Sequence, residues 1–403
     1  MSLLYNILAR INSQGGQILS ELGEKVNELN EADEGPFDGP NRPSDLVCNL
    51  AQRIVTDCQE LISLLVPSHI QTLQYAFSGA LPAALAVVAH FNVADTIESL
   101  GGHATATEIA QTVGTDAIKM AHTLRALTAF HIFIEESDGR FANNRGSRPL
   151  FSDGGGAAMI ESYSQISGKA LVGWLPLMQD RDMMHEVDPQ RGAFSKAYGS
   201  SISIMDWMMA PENEDDLITL MEGIPWLTQV SAKETVDNFD WTRWGVGLRN
   251  LESMVPAQLA AGEIEIVLQD YLLEQQSRAD IYWMRGVLHD YSDNVCVKIL
   301  ENLKSRMLES PKTRILINEI VVPSLPVTTL KGVNLPTSES KPRTQSSFVE
   351  MTSLMQLHSV AFQGGYERTY PEYQKIFDRA GYQVVNFYQL QLYTSIMELA
   401  PKF

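Results

Sequence analysis

Three stretches of the chain end in side chains able to move protons. His289 and Asp290 close the segment ADIYWMRGVLHD, Glu319 follows the apolar run TRILIN, and Glu367 stands in the turn GGYERT. The runs before the first two read as strands, and open α/β sheets bind ligands in the crevice outside the carboxyl ends of their strands. A histidine flanked by carboxylates is a workable general base, because a carboxylate on one ring nitrogen fixes the tautomer and raises basicity at the other. The plainer alternative is a histidine that caps a strand beside two solvated glutamates.

The elements that must carry these groups follow from periodicity. Residues 263–268 (EIEIVL), 279–284 (ADIYWM) and 313–318 (TRILIN) read as strands, with a helix over 294–308 between the last two. This alternation predicts a parallel sheet with crossover helices. A helix at 371–380 is followed by an antiparallel pair at 382–387 and 390–399, and the Pro, Ser and Thr rich tract 322–346 reads as a surface loop.

The first half is helical in pattern. Residues 3–29 form an amphipathic arm interrupted near Gly15 and Gly16, and 30–45 is an exposed linker dense in Pro, Gly and acid. Thr105 with Glu108 spells a helix start. A helix over 117–128 and a hairpin over 131–141 complete a winged-helix pattern. The expected division is a helical winged-helix domain, 1–150, before a catalytic domain, 151–403. Within the latter, 155–240 is helical and rich in Met and aromatic residues. Tyr198, Met205, Trp207, Met208 and Trp226 either build core or wall an adaptable apolar pocket. Thr228 and Met355 are counted with that wall.

Composition narrows the partners. The chain has 403 residues and a formal charge of -19, with no basic run, so a phosphate backbone would be repelled. Cys48, Cys58 and Cys296 are an odd, scattered set, unlike a disulfide framework or a zinc site, and no metal is expected. The apolar stretch 81–94 contains Pro82, His90 and Asn92 and is too short and polar for a bilayer. The start MSLLYNILARINSQGG lacks a leader pattern. A cytoplasmic protein with neither nucleic-acid nor membrane partners is the expectation.

The segments ADIYWMRGVLHDYSDNVCVKILENL, TRILINEIVVP and QGGYERTYPEYQKIFDRAGY resemble plant and fungal small-molecule O-methyltransferases that use S-adenosylmethionine. Residues 107–127 resemble that family's winged-helix dimerisation domain, and PQRGAFSKAYG its pocket-lining helix. The resemblance implies a Rossmann-like α/β sheet and a homodimer. By motif it places His289 at the catalytic base, Glu319 and Glu367 at the bracketing carboxylates, and Arg285 at a basic cofactor-site position. Asp270 falls at an acid near the adenine, and His358 at a position that touches the substrate ring.

One departure matters more. Between Trp241 and Glu263, where the family has a strand, a glycine-rich turn, a helix and a second strand ending in an acid, this chain has TRWGVGLRNLESMVPAQLAAG. Gly245 and Gly247 form a GxG with no apolar run before it, a weak fingerprint. Glycines let the backbone approach the cofactor, and the acid holds its ribose hydroxyls; neither is in place. The resemblance extends to fungal relatives recruited as pericyclases. The leading expectation is therefore a pericyclase or cyclase that needs no cofactor, acting on a hydrophobic polyketide or alkaloid intermediate with His289 and Arg285 as donors. Ordinary O-methylation of a phenolic molecule with S-adenosylmethionine is the alternative, and a non-catalytic interaction subunit the third reading.

Overall fold

The computed structural model describes residues 3–23, 43–136, 139–185, 188–238, 270–309, 312–322, 347–363, 365–390 and 394–402. The strand expected at 263–268, the shortened stretch before it, most of the linker at 30–45 and nearly all of the loop at 322–346 lie outside them. The chain divides into two compact units: Met1–Pro176 with Phe194–Leu227 and Gln345–Glu350, and Leu177–Ala193 with Thr228–Thr344 and Met351–Phe403.

The first unit begins with α1 (Leu3–Leu22), α2 (Asp45–Leu65), α3 (Ser68–Phe77), α4 (Ala80–His90) and α5 (Val93–Ser99). Strand β1 (His103–Thr105), α6 (Ala106–Val113), α7 (Ala117–Thr128), β2 (Ile134–Glu135) and β3 (Arg140–Ala142) follow. The Thr105 side chain accepts from the Glu108 amide, and Glu108 accepts from the Thr105 amide, so the expected helix start is present. The hairpin is present too, and β1 joins it in a sheet of order β1-β3-β2. Val88, Ile97, Ile109, Leu124 and Phe141 form its core. By length and composition Ser68–His90 could cross a membrane, but its α4 half sends Ala84, Val88 and Ala89 inward.

One expectation fails here. The arm is not interrupted at Gly15 and Gly16: α1 runs through both. A mid-helix glycine costs only about 1 kcal/mol, and α1 is anchored on α2 by buried Ile7 and by Arg10, which pairs with Asp57 and Glu60. The compact units also run past the expected boundary at residue 150. Gly223 closes on the Met159 backbone so tightly that a Cβ would stand 2.6 Å from it, and Trp226 lies against Gly156, which ties α8 (Gly156–Ser162) and the start of α13 into the first unit. Between these come a π-helical turn, Tyr163–Ser167, then α9 (Gly168–Val172), α10 (Trp174–Gln179), α11 (Ala193–Tyr198) and α12 (Ile204–Met208); α13 itself is Glu214–Asn238.

The second unit holds β4 (Ile281–Arg285), α14 (Asp293–Glu301), α15 (Lys304–Glu309), β5 (Arg314–Val322), the part of α16 (Ser347–Gln363) from Met351 on, β6 (Arg368–Thr369), α17 (Tyr370–Ala380), β7 (Tyr382–Gln389) and β8 (Thr394–Pro401). The sheet order is β4-β5-β8-β7, with β4 parallel to β5 and the other pairs antiparallel; β6 adds to β5. The crossover and the antiparallel edge are as the pattern predicts. After its first residue, Arg314, strand β5 is apolar except at Asn318 and Glu319, because both its faces are covered. The single helix expected over 294–308 is instead two. It breaks at Asn302, whose carbonyl accepts from Gln275 and whose side chain donates to the Tyr271 carbonyl. Tyr373, Phe377, Tyr382, Ile299 and Met307 fill the core beneath.

Candidate active site

The last pair of the β4–β5 ladder is Arg285 with Asn318. There β4 turns away at Gly286, whose φ is 60°, and leaves the next residue of β5, Glu319, facing the turn that follows. That turn is a 3-10 helix, Leu288–Asp290. Glu319 Oε1 accepts the amides of Val287 at 2.9 Å and Leu288 at 2.7 Å. Its Oε2 stands 3.2 Å from Nδ1 of His289. Glu367, just before β6, brings Oε1 to 3.4 Å from the same nitrogen. Asp290 Oδ1 lies 3.1 Å from Nε2 on the other edge of the ring. The sequence therefore placed His289, Glu319 and Glu367 together correctly, but Glu319 lies within its strand, which continues to Val322.

Electrostatics follow from burial. The side chains of Glu319 and Glu367 are 0% and 2% exposed, against 25% for His289. Nδ1 of His289, Oε2 of Glu319 and Oε2 of Glu367 are buried with no hydrogen bond in line, so the three interact through charge. Burial works to lower the pKa of His289, but the carboxylates of Asp290, Glu319 and Glu367 set around the ring outweigh it and push it up to about 12. Burial first, then the neighbouring Glu319 and Asp290, raise Glu367 to about 7 despite the opposing charge of His289. The result is an imidazolium held among carboxylates, one of which titrates near neutrality. One imidazole and two carboxylates are also a donor set for a divalent cation, with ligand atoms within 4.8 Å of one another. A protonated ring drawn to two carboxylates accounts for the same geometry.

Several residues had no signal in the spacing. Arg368, fully buried, donates to the carbonyls of Leu288 and Tyr291 and to Asp293. Gln356 of α16 donates to the Glu367 carbonyl at 3.0 Å. Gly365 packs so closely that a Cβ there would fall 2.0 Å from the His289 carbonyl oxygen. The doublet GGY hints at close approach, but only the fold shows what is approached. Gly365→Ala should destabilise the protein by about 1–3 kcal/mol through overpacking and displace the turn; chemical denaturation checks the first effect and turnover the second.

The remaining expected site residues scatter. Arg285 ends β4 and lines a groove of about 440 Å³ with Tyr271, Tyr282, Trp283 and Asn302. Asp270 is exposed and turns its carboxylate onto the Leu272 amide, where it shapes its own turn. Met355 and His358 lie half-buried on α16, and burial lowers the pKa of His358. In the first unit Tyr198 stacks on Phe194 at 4.3 Å and meets Trp207 edge-on at 4.9 Å, with Lys169 over its ring at 3.8 Å. Met208 is buried in that unit, Trp226 packs on Gly155 and Gly156, and Met205 is exposed. Trp226 and Met208 thus pack within the first unit, while Tyr198 and Trp207 form one aromatic cluster. Thr228 falls within α13, and its side chain lies outside the described residues.

Comparison with known proteins agrees with this architecture. Residues 252–383 match the O-methyltransferase domain and 73–153 the O-methyltransferase dimerisation domain. An O-methyltransferase of Armillaria gallica is 25% identical, over 95% of this chain and 94% of its own. A solved structure described as a pericyclic reaction enzyme superposes with a TM-score of 0.67 at 14% identity, covering 88% of this chain and 94% of that one. LepI in complex with SAM gives 0.65 at 16% identity, covering 88% and 94%. At these identities the two structures establish a shared fold.

Proposed function

We infer, from the premise that this chain belongs to the O-methyltransferase family, that it is an enzyme on that scaffold which steers a pericyclic or cyclisation step instead of methyl transfer. The observation that carries the reading is the sequence of 242–262, which has two glycines in a GxG and one at its end where the cofactor turn belongs. Asp270, the expected adenine-site acid, gives one carboxylate oxygen to the Leu272 amide, which supports the same reading. No step is therefore routed through S-adenosylmethionine.

The chemistry left to the site suits a cation that donates. A pericyclic step moves electron pairs within the substrate and needs neither oxidant nor leaving group. A preorganised donor aimed at a carbonyl that gains charge lowers its barrier, and holding the reacting ends together supplies much of the rest. His289 is that donor, through Nε2 once Asp290 swings aside, while Glu319 and Glu367 keep the ring charged. A polyketide or alkaloid intermediate with a conjugated carbonyl is the substrate class, and the dimerisation domain supports a homodimer as the working form.

O-methylation is the second reading, with a phenol as the acceptor we propose for it; the Armillaria gallica relative, an O-methyltransferase by name, favours methyl transfer. The two separate in one experiment. Incubated with S-adenosylmethionine and a panel of phenols, the protein should release no S-adenosylhomocysteine, and calorimetric titration with S-adenosylmethionine should give no saturable heat. Stoichiometric release of S-adenosylhomocysteine with a methylated product would establish the second reading in place of the first.

A further inference from the structure

We propose that Arg368 is a positioning residue for His289, fixing the imidazole through the backbone of the turn that carries it; the proposal deepens the reading of His289 as the working side chain and rests on it. Arg368 is 0% exposed. Its Nη1 donates to the Leu288 carbonyl at 2.9 Å and its Nη2 to the Tyr291 carbonyl at 2.6 Å. These two carbonyls bracket His289 and Asp290. Nε donates to Asp293 at 2.9 Å, at the start of α14, and the Tyr366 hydroxyl donates to the same oxygen at 2.8 Å. The guanidinium also lies 4.2 Å from the centre of the Tyr366 ring.

Glu319 takes the two amides on the other side of the turn, so four backbone groups of one short segment are held by two buried, oppositely charged side chains. A rigid planar fork is what reaches two carbonyls and a carboxylate at once; a lysine ammonium in the same place would reach fewer and hold them loosely. Burying a guanidinium against neutral carbonyls is expensive, and apolar residues of the same volume would fill the space with less penalty. The arrangement fixes the backbone from which the ring meets Glu319 and Glu367 at Nδ1 and Asp290 at Nε2.

A purely structural arginine and a positioning one differ in what their loss does to the imidazole. In protein labelled with carbon-13 at histidine Cε1, the His289 resonance is identified by its disappearance in His289→Gln. In the parent it should keep its imidazolium position from about pH 6 to about pH 9. In Arg368→Met and Arg368→Lys it should move and titrate inside that window. A lowered melting temperature with an unmoved His289 resonance in both variants would overturn the proposal. Should Arg368→Met not fold, Asp293→Ala, which removes the acceptor of Nε, gives the same readout. Turnover separates this proposal from the reading beneath it: a combined Arg368→Lys and His289→Gln variant should be no slower than His289→Gln alone. A moved resonance in Arg368→Lys together with full turnover by His289→Gln would uphold the positioning and reject His289 as the working group.

Discussion

Turnover by a His289→Gln variant should fall by about 10²–10³-fold, the range for removing one preorganised donor from a site of developing negative charge, while the protein stays folded and dimeric. Glutamine keeps an amide donor near the ring's position but carries no charge, so the loss measures the charge more than the contact. Glu319 and Glu367 would then face each other without the cation between them, and Glu367 should become still harder to ionise. Steady-state kinetics with the conjugated substrate measures the effect, and sedimentation confirms that the assembly is intact. A variant that turns over at the parent rate would remove His289 from the mechanism, whatever reaction the protein performs.

Acidity distinguishes donor from base just as sharply. With its pKa pushed up to about 12, His289 is protonated at every pH where the protein would be assayed. A donor in that state gives a rate independent of pH from about 6 to about 9, apart from the titration of Glu367. A base must first lose its proton, and its neutral fraction, hence the rate, rises tenfold for each unit, about 10³-fold across the same range. Stability should follow in a fixed direction. A histidine raised above its ordinary value of 6.5 contributes stability that is complete below that value and lost as the pH climbs toward about 12. Glu367, raised from 4.5 to about 7, acts with the same sign, because the unfolded chain ionises first and pulls the equilibrium toward itself between those two values. Calorimetric scans should find the highest melting temperature on the mildly acidic side of neutrality and a steady fall from there to about pH 9.

How far the sequence could be read depended on range. Strands β4, β5, β7 and β8 and helices α7 and α17 were legible because their apolar periods are strong and local. His289, Glu319 and Glu367 were legible as a set because each stands in or beside a strand or turn on the same side of such a sheet, although Glu319 lies inside β5 and not at its end. Arg368 was not: in sequence it is one more charge in a turn, and its role arises from contacts to Leu288 and Tyr291, roughly 80 positions away. The wall of Met and aromatic residues was half legible, since density of side chains says nothing of direction. Trp226 turned to Gly155 and Gly156, and Tyr198 and Trp207 to each other. The continuous α1 was missed because two glycines argue against a helix locally, while the partner that overrules them lies on α2.

The two oxygens of Glu319 answer to different masters, one to main-chain amides and one to the imidazole. A descendant that gave up its ancestral reaction would still need the first oxygen to keep the polypeptide in shape, and selection for shape alone would carry the second along with it. Finding this glutamate beside a histidine in some other member of the lineage is therefore a record of shared ancestry in the backbone, and says little about which reaction that member now performs.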